Sequence, residues 1–124
     1  MPTVHANNID IAYSDQGSGD TPIVLVHGFP LDKRMWEPQV QALSGEFRII
    51  TPDLRGHGES QVTPGPYTMD LLADDLKGFL DALNLQQVVL GGFSMGGYVV
   101  FSFYRKYPER VNSLMLLDTR PQPD

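Results

Sequence analysis

The chain has 124 residues, 41% of them apolar and 19% charged, with a formal net charge of −6. This length and composition predict one domain, residues 1–124, with its own core. The acidic balance, without a basic run, argues against nucleic acid or an anionic membrane as partner. With no cysteine, disulfides and thiolate metal sites are excluded. No leader peptide or membrane-spanning run is recognisable, so a cytoplasmic protein is expected.

The apolar pattern predicts a hairpin first and then strands that alternate with helices. Thr3–His5 and Ile9–Tyr13 are short β-type runs, joined by Asn7-Asn8, residues that tolerate the positive φ of a tight turn. Ile9–Tyr13 alternates apolar and polar residues, as a half-buried strand does. Further strands are predicted at Pro22–Val26, Phe47–Ile50, Gln87–Leu90 and Val111–Leu117.

Three helices are predicted between these strands. One lies within Lys33–Ser44, and the last is Met95–Lys106. Thr68 is the expected N-cap of the middle helix, which carries an apolar face at helical spacing. Strands that alternate with helices are typical of an α/β fold with a mainly parallel sheet and right-handed crossovers.

A Gly-x-Ser-x-Gly motif follows the predicted strand Gln87–Leu90. Gly92, Ser94 and Gly96 stand where a strand turns sharply into a helix. Such a turn leaves no room for side chains two residues either side of the serine, and it exposes the serine hydroxyl at a helix N-terminus, where negative charge is favoured. The motif therefore predicts a nucleophile, although an ordinary turn serine is the alternative.

Nucleotide, phosphate and metal sites find no support in the same region. A dinucleotide fingerprint beginning at Gly91 would need glycine where Phe93 stands, and a phosphate-binding loop would need Gly-Lys-Ser/Thr where Tyr98 follows Gly97. No pair of histidines with a carboxylate has the spacing of metal ligands on a helix. No metal and no cofactor are therefore expected.

Two further motifs stand at strand ends, His27-Gly28-Phe29-Pro30 after the third predicted strand and Asp53–Ser60 after the fourth. Together with the serine motif they make the chain resemble the amino-terminal half of an α/β-hydrolase, from about Ile9 to Asp118. Phe29–Asp32 with Arg34–Trp36, and Leu117–Arg120, are most similar to the enol-lactonase, esterase and perhydrolase-like branch. The resemblance implies an α/β-hydrolase-type, mostly parallel sheet, truncated after about six strands, with helices on both faces.

The resemblance also implies a chemistry, which is acyl transfer to Ser94 from a small ester, lactone or similar substrate. The backbone N–H groups of Met95 and Phe29 would form the oxyanion hole, while both side chains line the acyl pocket. Serine at position 94 argues against the dehalogenase and epoxide hydrolase branches, which use an aspartate nucleophile. Supporting positions are His27, Gly28, Gly92 and Gly96, with His27 expected to hold the oxyanion loop rather than to act as a base.

The loop Asp53–Ser60 is expected to have a structural role. Asp53 and Arg55 would anchor it by hydrogen bonds or an ion pair, and His57 would shape the turn and the adjacent wall of the site. His5, near the amino terminus, is expected to be solvated.

The catalytic triad is incomplete in this sequence. In this family the order along the chain is Ser, then Asp or Glu, then His, but His5, His27 and His57 all precede Ser94. Asp118, at the end of the sixth predicted strand, is a candidate acid, although the branch it resembles carries the acid later. The resemblance implies that the lid and the last two strands of the family fold would also be absent from these 124 residues.

If the strands are ordered as in the family that the chain resembles, Val111–Leu117 would be an exposed apolar edge strand, which would recruit another chain. The expected partner is a second copy, as a homodimer, or a complementing carboxy-terminal chain. Two functions therefore remain open. The chain is either the nucleophile-bearing part of a serine hydrolase, or an inert fold fragment that self-assembles or binds a ligand or partner chain.

Overall fold

The computed structural model describes residues 2–117, and these form a six-stranded sheet with helices packed against it. The strands are β1 (Thr3–Ala6), β2 (Ile9–Gln16), β3 (Ile23–Val26), β4 (Ile49–Pro52), β5 (Val88–Phe93) and β6 (Val111–Leu117). The α-helices are α1 (Glu37–Leu43), α2 (Met69–Ala82) and α3 (Met95–Lys106), and 3₁₀ turns span Lys33–Trp36 and Pro108–Arg110.

The order across the sheet is β1-β2-β4-β3-β5-β6. The first two pairings, β1 with β2 and β2 with β4, are antiparallel, whereas β4, β3, β5 and β6 run parallel. Parallel strands end at the same edge of a sheet, so the loops after β3, β4 and β5 meet there. This topology confirms the predicted mostly parallel α/β sheet.

Successive side chains of the central strands point alternately into two core layers, one on each face of the sheet. Val24 and Val26 of β3 belong to the larger core, with α2 and α3, whereas Leu25 between them packs with Trp36 and Val40 on the other face. Successive side chains of a strand point to opposite faces, so α2 and α3 cover one face and α1 the other. A continuous apolar run is the sequence signature of such a strand.

The largest differences from the predicted strand bounds are in β2, β4 and β5. Residues 14–16 of β2 pair with residues 49–51 of β4, which lengthens β2. Phe47 was expected in β4, but its N–H donates to Leu43 O in the turn that ends α1. Gly91 and Gly92 continue β5, because they pair with Leu25 and Val26.

Local capping and turn signals agree well with the structure. Thr68 Oγ1 accepts the Leu71 N–H at 3.0 Å and caps α2. Asn7 and Asn8 have φ values of 49° and 68°, as the predicted hairpin turn requires. The helix predicted within Lys33–Ser44 is α1, and a 3₁₀ turn precedes it. Across residues 2–117, none of the helices combines the length and the apolar character needed to cross a bilayer.

The β6 strand exposes apolar side chains. Met115, Leu116 and Leu117 are 38%, 41% and 42% exposed. One edge of β6 pairs with β5, and within the described residues β6 ends the sheet. The expectation of an exposed apolar edge agrees with this geometry.

Candidate active site

Ser94 lies in the sharp turn between β5 and α3. Its backbone has φ 55° and ψ −114°, a conformation that residues other than glycine rarely adopt. A Cβ on Gly92 would lie only 2.7 Å from Gly97 N and closer still to the Gly96 carbonyl, so a side chain there is excluded. The turn thus has the backbone geometry of the predicted nucleophile elbow.

Two other glycines let the loop after β3 approach this turn. A Cβ on Gly96 would lie 2.5 Å from His27 O, so the start of α3 rests directly against the end of β3. A Cβ on Gly28 would lie 2.9 Å from Phe93 O and 3.4 Å from the Ser94 Cβ. The predicted oxyanion loop and the predicted nucleophile are therefore in close backbone contact.

His27 is fully buried and uses both ring nitrogens. The Leu54 N–H donates to Nε2 at 3.0 Å, so the proton of the neutral ring is on Nδ1, which donates to Gly28 O at 3.0 Å. Burial lowers the pKa of His27, because it penalises the charged ring. His27 therefore links the loop after β3 to the loop after β4.

A second link between these loops is a buried ion pair. Lys33 Nζ lies 2.7 Å from Asp53 Oδ2 and 3.0 Å from Glu59 Oε1, with Lys33 5% and Asp53 0% exposed. Asp53 also accepts the backbone N–H groups of Lys33, at 2.7 Å, and Glu59, at 2.9 Å. Burial alone would lower the pKa of Lys33, but its hydrogen bonds to Asp53 and Glu59 raise it overall.

The remainder of the loop after β4 is anchored to α2. Arg55 makes a two-point hydrogen bond with Asp75, at 2.9 and 2.7 Å, and Asn7 Nδ2 donates to the same carboxylate at 2.8 Å. Bidentate pairs of this kind specify geometry as well as add energy. The expected anchoring of this loop by Asp53 and Arg55 is thus present, with Lys33 and Asp75 as the partners.

A cleft of about 450 Å³ opens beside the turn. Phe29 and Met95, the two residues predicted to supply oxyanion N–H groups, both contribute to its wall, and the Phe29 side chain is 69% exposed. Most of the remaining wall is apolar. The full lining is Phe29, Pro30, Leu31, Asp32, Gly56, His57, Gly58, Tyr67, Met69, Leu72 and Met95.

His57 forms part of the cleft wall and contacts other rings. Its ring centroid lies 5.8 Å from that of Phe29, edge to face, and 5.1 Å from that of His27. Nδ1 lies 2.9 Å from Arg55 O, whereas Nε2 is buried and has no hydrogen-bond partner among the described residues. His57 therefore occupies the wall position expected from the sequence.

The structure brings most of the predicted site residues together at one sheet edge, around Ser94. Asp118 falls outside the described residues. His5, which was expected to be solvated, is exposed and pairs with Asp10 at 2.7 Å. Sequence reasoning did not find Lys33, because a lysine in a loop carries no signal that it is buried. Tyr67 was missed as well, because its place in the cleft wall depends on how the loop after β4 folds.

Comparison with known proteins shows which family the chain resembles in sequence. A family model described as the alpha/beta hydrolase fold matches residues 21–124. The bifunctional epoxide hydrolase 2 of Sus scrofa is 35% identical over 118 residues, which are 93% of this chain and 21% of that protein.

Two solved structures are similar in fold and sequence. A thermophilic esterase from Thermogutta terrifontis is 52% identical with a TM-score of 0.92, over 99% of this chain and 47% of that one. The enol-lactonase from Burkholderia xenovorans LB400 is 33% identical with a TM-score of 0.89, over 95% and 46%. The chain thus spans less than half the length of these relatives. Its sequence and fold show that it belongs to the α/β-hydrolase family.

Proposed function

We propose that this chain is the nucleophile-bearing part of a serine hydrolase that acts on an ester, lactone or similar small acyl substrate. The observation that carries the proposal is the strained backbone of Ser94 at the β5–α3 turn, with the Gly28 loop against its Cβ. Strain of this kind persists where the surroundings over-determine it, and functional sites are the usual places.

In the proposed reaction the Ser94 hydroxyl attacks the substrate carbonyl carbon, and a base accepts the hydroxyl proton. The negative charge on the carbonyl oxygen is held by the N–H groups of Met95 and Phe29, and the charge collapses as the C–O bond to the leaving alcohol breaks. The alcohol departs with the proton, and water then hydrolyses the acyl-serine. No metal or cofactor enters these steps.

The catalytic base is not identified in this sequence. The family's order places the histidine after Ser94, and no histidine follows Ser94 here. His27 is committed through both nitrogens, and Asp118 remains a candidate acid only by its place in the sequence. We propose that a histidine outside the 124 residues completes the triad, with an acid that is either Asp118 or also lies outside them. The chain alone is then expected to react weakly or not at all, although oxyanion stabilisation without a triad can retain about 10³–10⁴-fold catalysis over water.

The test is a fusion of residues 1–117 with the remaining carboxyl-terminal half of the Thermogutta terrifontis esterase, which is 52% identical over the shared half. The fusion protein is expected to hydrolyse p-nitrophenyl acetate and to be labelled by a fluorophosphonate probe at Ser94. The Ser94→Ala variant is the matched control and should show neither. A folded fusion protein that is not labelled contradicts the proposal.

A second candidate function rests on the exposed β6 strand. There, Met115, Leu116 and Leu117 present apolar side chains at a sheet edge, which favours pairing with another chain. In this alternative the chain is an inert fold unit that forms a homodimer or binds a complementing carboxy-terminal chain. Sedimentation of the purified chain tests it, and a monodisperse monomer at high concentration contradicts the homodimer.

A further inference from the structure

We infer that His57 Nε2 is the polar recognition point of the cleft and accepts a hydrogen bond from a hydroxyl or N–H group on the bound acyl compound. This inference rests on the proposed function, because it concerns the substrate of the same site. It makes the preferred substrates of that site those acyl compounds that carry a hydrogen-bond donor near the reacting carbonyl.

The first step is the position of the proton on the ring. Nδ1 lies 2.9 Å from Arg55 O, and a carbonyl oxygen can only accept, so Nδ1 must be the donor. In the neutral ring this leaves Nε2 as a bare acceptor. Arg55 is itself held by its two-point contact with Asp75, so the ring orientation is set by the anchored loop.

The second step is that Nε2 lacks a partner. The atom is buried, and no described residue donates to it. Buried polar atoms are nearly always hydrogen-bonded, and exceptions in native proteins call for an explanation. The other polar side chains of the wall have partners of their own. Tyr67 Oη donates to Thr63 O at 2.5 Å, and Asp32 binds Arg34 at 2.8 and 3.0 Å.

The third step is access from the cleft. The Phe29 ring meets the His57 ring edge to face, and the Phe29 side chain is 69% exposed. A side chain so exposed loses little packing when it turns into solvent, so a ligand that displaces it reaches the His57 ring from the cleft. The remaining wall offers apolar contacts to such a ligand, from Pro30, Leu31, Met69, Leu72 and Met95.

The expected ligand is therefore an ester or lactone of a hydroxy or amido acid, with its donor on Nε2 and its carbon chain against the apolar wall. A site built to bind a hydroxyl discriminates against the analogue that lacks it, because the site's own polar atom is then left unpaired. The expected preference over a methyl analogue of the same shape is at least about tenfold in Kd.

The test measures binding to the full chain carrying Ser94→Ala, so that no ester is turned over. Methyl lactate is compared with methyl isobutyrate, and methyl 3-hydroxybutyrate with methyl isovalerate; in each pair a methyl group replaces the hydroxyl. Chemical-shift titration is expected to show at least about tenfold tighter binding of the hydroxy ester in one or both pairs. Long-range ¹H–¹⁵N spectra of the free protein should show the His57 proton on Nδ1.

His57→Asn is the discriminating variant, since its amide can still donate to Arg55 O but nothing replaces Nε2. It should reduce the preference to about one, whereas His5→Asn, at an exposed histidine away from the cleft, should leave the preference unchanged. The inference is overturned if both pairs bind equally, if none of the esters binds, if His57→Asn keeps the preference, or if the neutral ring is protonated on Nε2. Failure of the proposed function would appear separately, as absent labelling of Ser94 in the fusion protein.

Discussion

The loops at the carboxyl ends of β3 and β4 contrast with the outer strand β6. In the loops, the charged groups of Lys33 and Asp53 and the ring of His27 are buried, and each has partners. On β6, apolar side chains such as Leu116 are exposed. Both regions reverse the usual distribution of polar and apolar groups.

The contrast shows which groups find their interaction partners within the described residues and which do not. Burying a charge costs free energy unless the charge is paired and hydrogen-bonded, and Asp53 meets that condition with Lys33 and Glu59. The loop positions are therefore determined within the described chain. The exposed side chains of β6 gain nothing comparable from the described residues, so a contact with another polypeptide surface would stabilise them.

The largest expected effect is that of Asp53→Ala. It leaves the Lys33 ammonium buried without its main partner and removes the acceptor of two backbone N–H groups, so the free energy of unfolding should fall by about 3–5 kcal/mol. Urea denaturation measures this. Asp15→Ala is the control, because the Asp15–Arg48 pair is two-point but partly exposed and should cost about 1 kcal/mol or less. Equal losses of unfolding free energy in the two variants would contradict the conclusion that the buried Asp53 contacts fix the loop positions.

Gly96→Ala is expected to have the next largest effect. The new Cβ would lie 2.5 Å from His27 O, so α3 has to move away from β3, at about 2–3 kcal/mol in unfolding free energy. Gly78→Ala in α2 is the matched control, since its Cβ would meet Ala6 and Asn7 at 3.4 Å. Alanine should there stabilise the helix by about 0.5–1 kcal/mol, and a loss equal to that at Gly96 would disprove the steric argument.

His27 should make the free energy of unfolding depend on pH, and this effect should be smaller than those of Asp53→Ala and Gly96→Ala. Its pKa is lowered from 6.5 in the folded state, so below pH 6.5 the unfolded chain binds more protons. The free energy of unfolding therefore decreases as the pH falls from 6.5 toward the folded pKa, and the contribution is fully present above 6.5.

The check compares this chain with His27→Asn by urea denaturation between pH 8 and pH 5. The difference in unfolding free energy between the two proteins should shrink as the solution is acidified. A difference that stays constant over this range would show that His27 does not titrate with a lowered pKa.

Leu116→Lys should have the smallest effect on stability, within about 0.5 kcal/mol, because the side chain is already 41% exposed. If β6 mediates the proposed self-association, the substitution should convert the dimer to monomer in sedimentation velocity, since a charged edge strand resists pairing. Leu114→Lys is unsuitable as a control because Leu114 packs against the core. Thr3→Lys on the opposite edge strand β1 is suitable and should leave the dimer intact.

The sequence predicts the helices and β6 well because their signals are local. The bounds of α3 and β6 agree residue for residue with the prediction, and Thr68 caps α2 through its own neighbour Leu71. The largest strand extensions beyond the predicted bounds, in β2 and β5, depend on which residues of another strand lie opposite. That information is not contained in the periodicity of a single segment.

The site could be predicted only in part for a similar reason. Ser94 and the glycines around it can be recognised from the sequence, because their spacing follows from the steric demands of one turn. Lys33 and Asp53 are 20 residues apart, and nothing in either neighbourhood indicates that the two loops meet. The unpartnered nitrogen of His57 is likewise a property of the assembled cleft.

Asp53 holds two backbone segments at once, and this separates two kinds of position in the chain. The residues that hold the loops, such as Asp53 and Lys33, lie beneath the surface, whereas the side chains of Phe29, Leu31 and Met69 meet the cleft without serving as anchors. Substitutions at the latter positions can change the shape and polarity of the wall while the loop backbones stay in place. The arrangement makes the cleft evolvable, and a small library at these three positions is a direct route to altered acyl selectivity.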